Sequence, residues 1–233
     1  MPKLALLLAA LLLTPALRAQ VAAPATTAPH PTVLLHTSQG DITLELYPDK
    51  APKSVANFLR YVHEGFYAGT VFHRTIGGYL IQGGLYDREL EPRRTHPAIS
   101  SEADNGLSNL RGTIAVARGA DPNSGTAQFF INLVDNRRLD FVGNQSGLTW
   151  GYAVFGKVVK GMNVVDKIAA LPTRGLGPFA ADVPNPLVVI EGAQVIGEAA
   201  PTAAASAPVP AEPAAVTTKP ARRTVRKPAQ GGR

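Results

Sequence analysis

Hydrophobic and polar positions alternate along several short stretches of the chain, and this alternation predicts β-strands. The clearest case is DITLELY (Asp41–Tyr47), where aliphatic residues alternate with Thr and Glu. That pattern is typical of a half-buried strand in an antiparallel sheet. Val33–Thr37 is a short apolar run just before it, and Gln39-Gly40 lies between the two. We therefore predict a hairpin at the start of the folded segment.

Two other stretches carry apolar residues at helical spacing. The first begins at Pro52, which suits the first turn of a helix, and Gly65 fits the position just past its end. The second covers Met162–Leu171. We predict one amphipathic helix at each place.

The remaining apolar runs predict more strands. They are the two runs around Gly77-Gly78 within Val71–Gly84, then Gly112–Arg118, Gln128–Leu133, Tyr152–Val159 and Leu187–Ile196. Asp87–Asp104 has no periodicity and predicts a surface loop, as does the Pro- and Gly-rich stretch before Leu187. About eight strands and two distant helices, without repeated strand–helix–strand units, predict a mainly β fold. We expect a closed eight-stranded antiparallel β-barrel capped by two α-helices.

The two ends of the 233-residue chain differ from this middle part. Residues 1–19 contain Lys3, the Leu/Ala run Leu4–Leu13 and small residues around Ala16 and Ala19. This order is typical of a cleaved secretory signal peptide, and ten apolar residues are fewer than the roughly 20 that span a bilayer. Residues 20–31 predict a linker. We expect an exported protein, with the periplasm as its destination.

The C-terminal residues 199–233 are rich in Ala and Pro and contain no Phe, Tyr, Trp, Leu or Ile, which predicts a disordered tail. The tail has six Lys or Arg and one Glu, and the signal segment has two cations, so the net charge of +6 leaves −1 for the part between them. A nucleic-acid-binding domain is therefore disfavoured. The basic tail has two interpretations, a contact with anionic surfaces or a solvated extension.

Residues 32–198 are long enough for one sizeable core, and we expect one monomeric domain. The chain has no Cys, which excludes disulfides, thiol nucleophiles and cysteine-ligated metals. It also lacks the HExxH, G-x-S-x-G, P-loop and G-x-G-x-x-G motifs, and its His residues lack metal-ligand spacing. We expect neither a cofactor nor a metal.

One cation stands out within VFHRTIGGYLIQGG (Val71–Gly84), where Arg74 lies among apolar residues and Gln82 follows eight residues later. Alternation in two adjoining strands puts both side chains on one face. Arg74 either reaches solvent or a carboxylate, or serves a site. Arginine, amides and aromatic rings are poorly suited to acid–base chemistry. They do suit rotation about an X-Pro bond, because this reaction requires no proton transfer and its barrier of roughly 18–20 kcal/mol comes from the amide bond itself.

Four collinear motifs carry a family resemblance: FHRTI…YLIQGG, EADNGL…RGTIAVAR, AQFFINL and YAVFGKVVKGM. Residues 32–197 resemble the cyclophilin family of peptidyl-prolyl cis-trans isomerases (rotamases), and most of all its exported bacterial branch. The resemblance implies that Arg74 is catalytic, with Gln82 orienting it. It implies substrate binding by Tyr79, Leu80, Ala117, Arg118, Gln128, Phe130, Leu139 and Tyr152. It implies core positions for Phe72, Phe129 and Phe155, and we expect a structural role for His73.

The resemblance implies isomerisation of X-Pro bonds in proline-containing polypeptides during the folding of exported proteins. The alternative is a proline-peptide binding module or chaperone with little turnover. Three positions depart from the family pattern: Tyr79 replaces the usual Phe, Tyr152 stands where many members have His, and Arg138 replaces a Trp that helps to bind cyclosporin. We therefore expect weak cyclosporin binding.

Overall fold

A computed structural model describes residues 30–197. The predicted signal peptide, nearly all of the predicted linker and the predicted tail lie outside the described residues. None of the helices in the described part is long and apolar enough to cross a membrane.

The described part contains ten strands, two α-helices and a 3-10 helix at Arg137–Leu139. Their bounds are β1 (Thr32–Thr37), β2 (Gly40–Leu46), α1 (Pro52–His63), β3 (Thr70–Ile76), β4 (Leu80–Gly83), β5 (Thr113–Val116), β6 (Phe129–Asn132), β7 (Val154–Lys160), α2 (Met162–Ala169), β8 (Thr173–Leu176), β9 (Phe179–Pro184) and β10 (Val188–Val195). Eight of these strands close into a barrel in the order β1-β10-β3-β4-β6-β5-β7-β2. Every pairing in it is antiparallel. The predicted eight-stranded barrel with two helices is confirmed.

The first hairpin shows how the alternating pattern fills the barrel. Val33 pairs with Leu44, and Leu35 pairs with Ile42. Residues directly opposite each other in a pair share one face of the sheet. All four side chains are fully buried, so this face points into the barrel. The predicted inward face of this hairpin is thus confirmed.

A cluster of aromatic rings forms much of the core beneath α1. The ring of Phe58 lies 5.2 Å from that of Tyr67, 5.7 Å from Phe129 and 5.3 Å from Phe155, measured between centroids. Phe72 contacts Phe129 edge-on at 6.0 Å. The core positions predicted for Phe72, Phe129 and Phe155 are confirmed by their burial.

The N-terminus of α1 is held by a residue far away in sequence. The helix begins at Pro52 as predicted, but the preceding Ala51 has no side chain able to cap it. Instead, the carboxylate of Glu102 accepts the backbone N–H groups of Lys53 at 2.9 Å and Ser54 at 2.8 Å. An anion at this end also interacts favourably with the helix dipole. The predicted surface loop Asp87–Asp104 therefore stabilises the first turn of α1.

The prediction of a loop before the last strand is wrong in one respect. Strands β8 and β9 form a separate two-stranded hairpin there. The alternation that reveals a strand is missing, because most residues of this hairpin face solvent. It is held to the barrel by Leu176 and Phe179, which pack on the outer cluster around Val71 and Leu90.

Candidate active site

The pairing of β3 with β4 places the predicted catalytic pair on one face. Arg74 lies directly opposite Gln82, and Ile76 lies opposite Leu80. The register shifts between Phe72 and Arg74. Regular alternation would give these two residues the same face, so the shift lets Phe72 enter the core while Arg74 faces a surface cavity. The predicted common side of Arg74 and Gln82 is confirmed, and Ile76 and Leu80, which pair two positions further along, lie on that side as well.

The structure brings nearly all predicted site residues together around one cavity of about 180 Å³. Its lining is made of Arg74, Tyr79, Leu80, Gln82, Ala117, Arg118, Phe130, Leu139 and Tyr152. Gln128 is the one predicted site residue outside this lining. It contacts the site through Gln82, whose Nε2 donates to Gln128 Oε1 at 3.0 Å.

One edge of the cavity is polar. Arg74 Nη1 donates to Gln82 Oε1 at 3.4 Å, which continues the chain of amides to Gln128. The Arg74 side chain is 42% exposed, and its Nε lies 3.9 Å from Asp182 Oδ2. A guanidinium has five N–H donors, so these two contacts leave donors available to a ligand in the cavity that Arg74 lines. Arg74 thus lies near a carboxylate and also lines the cavity.

The floor of the cavity is apolar. Phe130 is 2% exposed and Leu80 4%, and both pack with Tyr79, Leu139 and Tyr152. The Tyr152 ring meets Phe130 edge-on, with 5.5 Å between centroids. A cavity of this size and lining suits a small apolar ring, such as a pyrrolidine.

Two arginines stack on the tyrosines of the cavity wall. The Arg118 guanidinium carbon lies 4.6 Å from the ring centre of Tyr152, and that of Arg138 lies 4.6 Å from the ring centre of Tyr79. Arg118 also donates to the carbonyl oxygens of Gly119, Gly147 and Gly151 at 2.7–3.0 Å. These bonds fix the loop that carries Tyr152.

Sequence reasoning missed the buried amides behind the cavity. Asn109 Nδ2 donates to the carbonyl of Leu139 at 3.1 Å, and Asn136 Nδ2 donates to the carbonyl of Tyr79 at 2.9 Å. Asn132 joins them, since its Nδ2 donates to Asn109 Oδ1 and its Oδ1 accepts from Asn136. The network fixes two wall residues that lie far apart in sequence. The signal was weak, because isolated Asn residues in loops and strand ends usually indicate turns.

Sequence reasoning also gave no signal for Asp182. It comes from β9, which the sequence did not predict, and it lies beside Arg74 only because this hairpin packs on β3. Asp182 has a φ of +66°, in the left-handed region that Asp tolerates better than most residues. The hairpin therefore brings a carboxylate to the polar edge of the cavity.

His73, next to Arg74, has a different environment. It is 3% exposed, stacks on Phe179 with 5.1 Å between ring centres and meets Tyr86 edge-on at 4.7 Å. Burial, and to a lesser degree the charge of Arg74, lower the pKa of His73 to about 4. A neutral imidazole packed between two rings supports the predicted structural role.

The chemistry of the cavity is limited by its side chains. Its lining contains arginines, tyrosines, an amide and apolar groups, and no carboxylate or imidazole. Within residues 30–197, no group of three or more His, Asp or Glu side chains is arranged to hold a metal ion. The arrangement offers a slot with an apolar floor and a guanidinium at its edge.

Comparisons with known proteins give consistent findings. The family described as "Cyclophilin type peptidyl-prolyl cis-trans isomerase/CLD" matches residues 32–195. Peptidyl-prolyl cis-trans isomerase A of Dickeya dadantii is 51% identical over 172 residues, which are 74% of this chain and 87% of that protein. Peptidyl-prolyl cis-trans isomerase B of Escherichia coli is 50% identical over 163 residues, which are 70% of this chain and 98% of that protein.

The fold also resembles a solved structure. A crystal structure of a Cryptosporidium parvum cyclophilin type peptidyl-prolyl cis-trans isomerase, in the presence of the dipeptide Ala-Pro, has a TM-score of 0.57 and 24% sequence identity. The match covers 72% of this chain and 99% of that chain. At this identity the likeness supports the barrel fold alone.

Proposed function

Since the chain belongs to the family of cyclophilin-type peptidyl-prolyl cis-trans isomerases, it is an enzyme that interconverts the cis and trans forms of X-Pro bonds, and we propose that Arg74 is its catalytic residue. The observation that carries the proposal is the position of Arg74 at the polar edge of a cavity of about 180 Å³ whose floor is formed by Leu80 and Phe130. The pyrrolidine ring of the substrate occupies this cavity. Leu80 and Phe130 contact the ring from below.

The barrier to rotation comes from amide resonance and amounts to roughly 18–20 kcal/mol. In the twisted state the imide nitrogen becomes pyramidal, and its lone pair accepts a hydrogen bond from the Arg74 guanidinium. Resonance removes that lone pair in both planar forms, so the bond forms only at the transition state and lowers the barrier. Removal of one preorganised donor of this kind costs about 100- to 1000-fold in rate.

The amides next to Arg74 have supporting roles. Gln82 accepts from Nη1 and orients the guanidinium, and Gln128 fixes the Gln82 amide and contacts the substrate backbone. Ala117 and Arg118 flank the cavity with backbone groups for the bound peptide. The N–H of Ala117 already donates to the carbonyl of Gln128 at 3.0 Å, so Ala117 offers only its carbonyl oxygen.

A proline-limited refolding assay tests the proposal. Unmodified protein should accelerate the slow refolding phase, Arg74→Ala should lose nearly all of this acceleration, and Arg94→Ala should keep it. Arg94 is a matched control, because it is an exposed arginine of the loop Asp87–Asp104. Full activity of Arg74→Ala would contradict the assignment.

The same variants separate catalysis from a chaperone role. If the protein works mainly as a proline-peptide binding module, Arg74→Ala should suppress aggregation of an unfolded client as well as unmodified protein does, and neither should accelerate refolding. An isomerase predicts acceleration by unmodified protein alone. The C. parvum structure in the presence of Ala-Pro makes Ala-Pro peptides a sensible first substrate.

We also propose that the enzyme is exported and acts on proteins folding in the periplasm. The support is the signal-like order of residues 1–19. N-terminal sequencing of protein from the periplasmic fraction should give a start at or near Gln20, whereas a retained Met1 would contradict export.

Deletion of residues 199–233 tests whether the basic tail contacts anionic surfaces. If it does, the shortened protein should lose binding to anionic vesicles at low salt, and unchanged binding would contradict such a contact.

A further inference from the structure

A second and larger depression adjoins the cavity of about 180 Å³ around Leu80 and Phe130, which we call the proline cavity. It has a volume of about 690 Å³ and shares four lining residues with the cavity, namely Tyr79, Arg118, Leu139 and Tyr152. Because the two openings share these wall residues, they lie side by side, and a peptide whose proline occupies the cavity can extend its neighbouring residues across this depression. We call the depression the arginine groove, after its other notable lining residue, Arg138.

The arginine groove carries uncompensated positive charge. Arg118 and Arg138 both line it, and no carboxylate does. Neither arginine forms an ion pair with another residue of the described range 30–197. Asp140, the acidic residue closest to Arg138 in sequence, is turned away, because its carboxylate is bonded to Asn109 and Ser108.

The two guanidinium groups are held in place by the rings beneath them. Each lies 4.6 Å from the centre of a tyrosine ring, Arg118 on Tyr152 and Arg138 on Tyr79. Stacking of this kind restricts a long side chain and holds its charge at a defined position. The hydrogen bonds of Arg118 to three glycine carbonyls do not neutralise its charge, since carbonyl groups are neutral. The groove thus presents two fixed cations beside the proline.

We infer that the arginine groove is a specificity subsite that binds an acidic side chain close to the proline of the substrate. A Glu stem packs along the rim, where Leu148 is 95% exposed, and its carboxylate accepts from the guanidinium group of Arg138. Arg118 adds positive charge beside it, since glycine carbonyls occupy most of its own N–H donors. A planar guanidinium is well suited to a carboxylate. This inference rests on the proposed function, and it adds a substrate preference to the isomerase.

Two peptide series test the inference. In Ala-Xaa-Pro-Phe and Ala-Ala-Pro-Xaa, Xaa is Ala, Glu or Lys, and NMR exchange spectroscopy gives kcat/KM for each peptide. In at least one series Glu should exceed Ala by about 3- to 10-fold and Lys should fall below Ala, which is the size expected for partly exposed charges. The effect should appear in KM and should shrink in 0.5 M NaCl.

Charge reversal gives the sharpest variant. Arg138→Glu should invert the order so that Lys exceeds Glu, whereas Arg137→Glu should keep the order of unmodified protein. Arg137 is a matched control, because it is the exposed neighbour of Arg138 and lines a different depression. Arg138→Glu also changes the contact with Tyr79 and could lower activity on every peptide. The ratio of kcat/KM for the Glu peptide to that for the Ala peptide, measured with the same variant, is unaffected by such a general loss of activity.

The outcomes distinguish failure of the acidic subsite from failure of the isomerase activity. Equal kcat/KM for Ala, Glu and Lys peptides in both series would overturn the subsite while leaving the isomerase intact. An equal effect of Arg137→Glu and Arg138→Glu would also overturn it, because the preference would then reflect net charge alone. Failure on every peptide, Ala included, would contradict the proposed function itself.

Discussion

Replacement of His73 by Phe should remove a large part of the acid sensitivity of the folded protein. The imidazole is 3% exposed between Tyr86 and Phe179, and its Nδ1 is buried without a hydrogen-bond partner among the described residues. Burial, reinforced by the charge of Arg74, lowers its pKa from 6.5 to about 4. In the unfolded chain both effects are absent, so the imidazole regains its ordinary pKa.

Proton linkage gives the direction and the size of the change in the free energy of unfolding with pH. Between pH 6.5 and about 4 the unfolded chain binds a proton that the folded protein does not, so stability is lost as the pH falls through this window. The complete pKa difference is worth about 3 kcal/mol, and about 2 kcal/mol of it is lost between pH 7 and pH 5. Phe cannot be protonated, so His73→Phe should lack this loss.

Urea unfolding at pH 7, 6 and 5, followed by circular dichroism, measures the free energy of unfolding of both proteins. At pH 7 the variant should lie within about 1.5 kcal/mol of unmodified protein, since a ring of similar size replaces the imidazole. At pH 5 it should have gained about 2 kcal/mol relative to unmodified protein. A second variant, His73→Gln, should be less stable at every pH but show the same flattening. Parallel pH curves for all three proteins would refute the reasoning.

Three further predictions concern other parts of the molecule. Glu102→Ala should lower the free energy of unfolding by about 1–2 kcal/mol, because the first turn of α1 loses its cap, whereas Glu89→Ala in the same loop should have little effect; equal losses would contradict the capping role. Asn109→Ala should cost about 2 kcal/mol and raise KM for an Ala-Pro peptide, because Leu139 loses its anchor; an unchanged KM would exclude positioning. Cyclosporin should inhibit weakly, and Arg138→Trp should strengthen inhibition; a nanomolar inhibition constant of unmodified protein would contradict this.

Local patterns were sufficient to predict the barrel. Alternation in β2 and helical spacing in α1 reflect the side that each element buries, so the sequence records them directly. The hairpin β8–β9 escaped prediction because it buries few residues, and Gly177-Pro178 at its turn was the one usable signal. Strands whose two faces are mostly exposed leave no alternation to read.

The residues of the candidate site were largely predictable, but the contacts that hold them in place were not. Family resemblance gave the residues around the proline cavity, which the fold then brought together, while their individual roles remain predictions. Asp182 and Asn109 were not predictable, because each acts on a site residue from a distant loop or hairpin. The stacking of Arg138 on Tyr79 was likewise invisible, since the two residues lie on separate elements. Contacts of this kind depend on tertiary packing and leave no spacing in the sequence.

The most direct measurement compares binding with turnover in the Arg74→Ala variant. NMR titration of an Ala-Pro peptide gives Kd, and exchange spectroscopy on the same samples gives the rate of cis–trans interconversion in the complex. If the Arg74 hydrogen bond exists only at the transition state, the exchange rate should fall about 100- to 1000-fold while Kd changes little. A weakened Kd with an unchanged exchange rate in the complex would contradict the account, because Arg74 would then only bind the substrate.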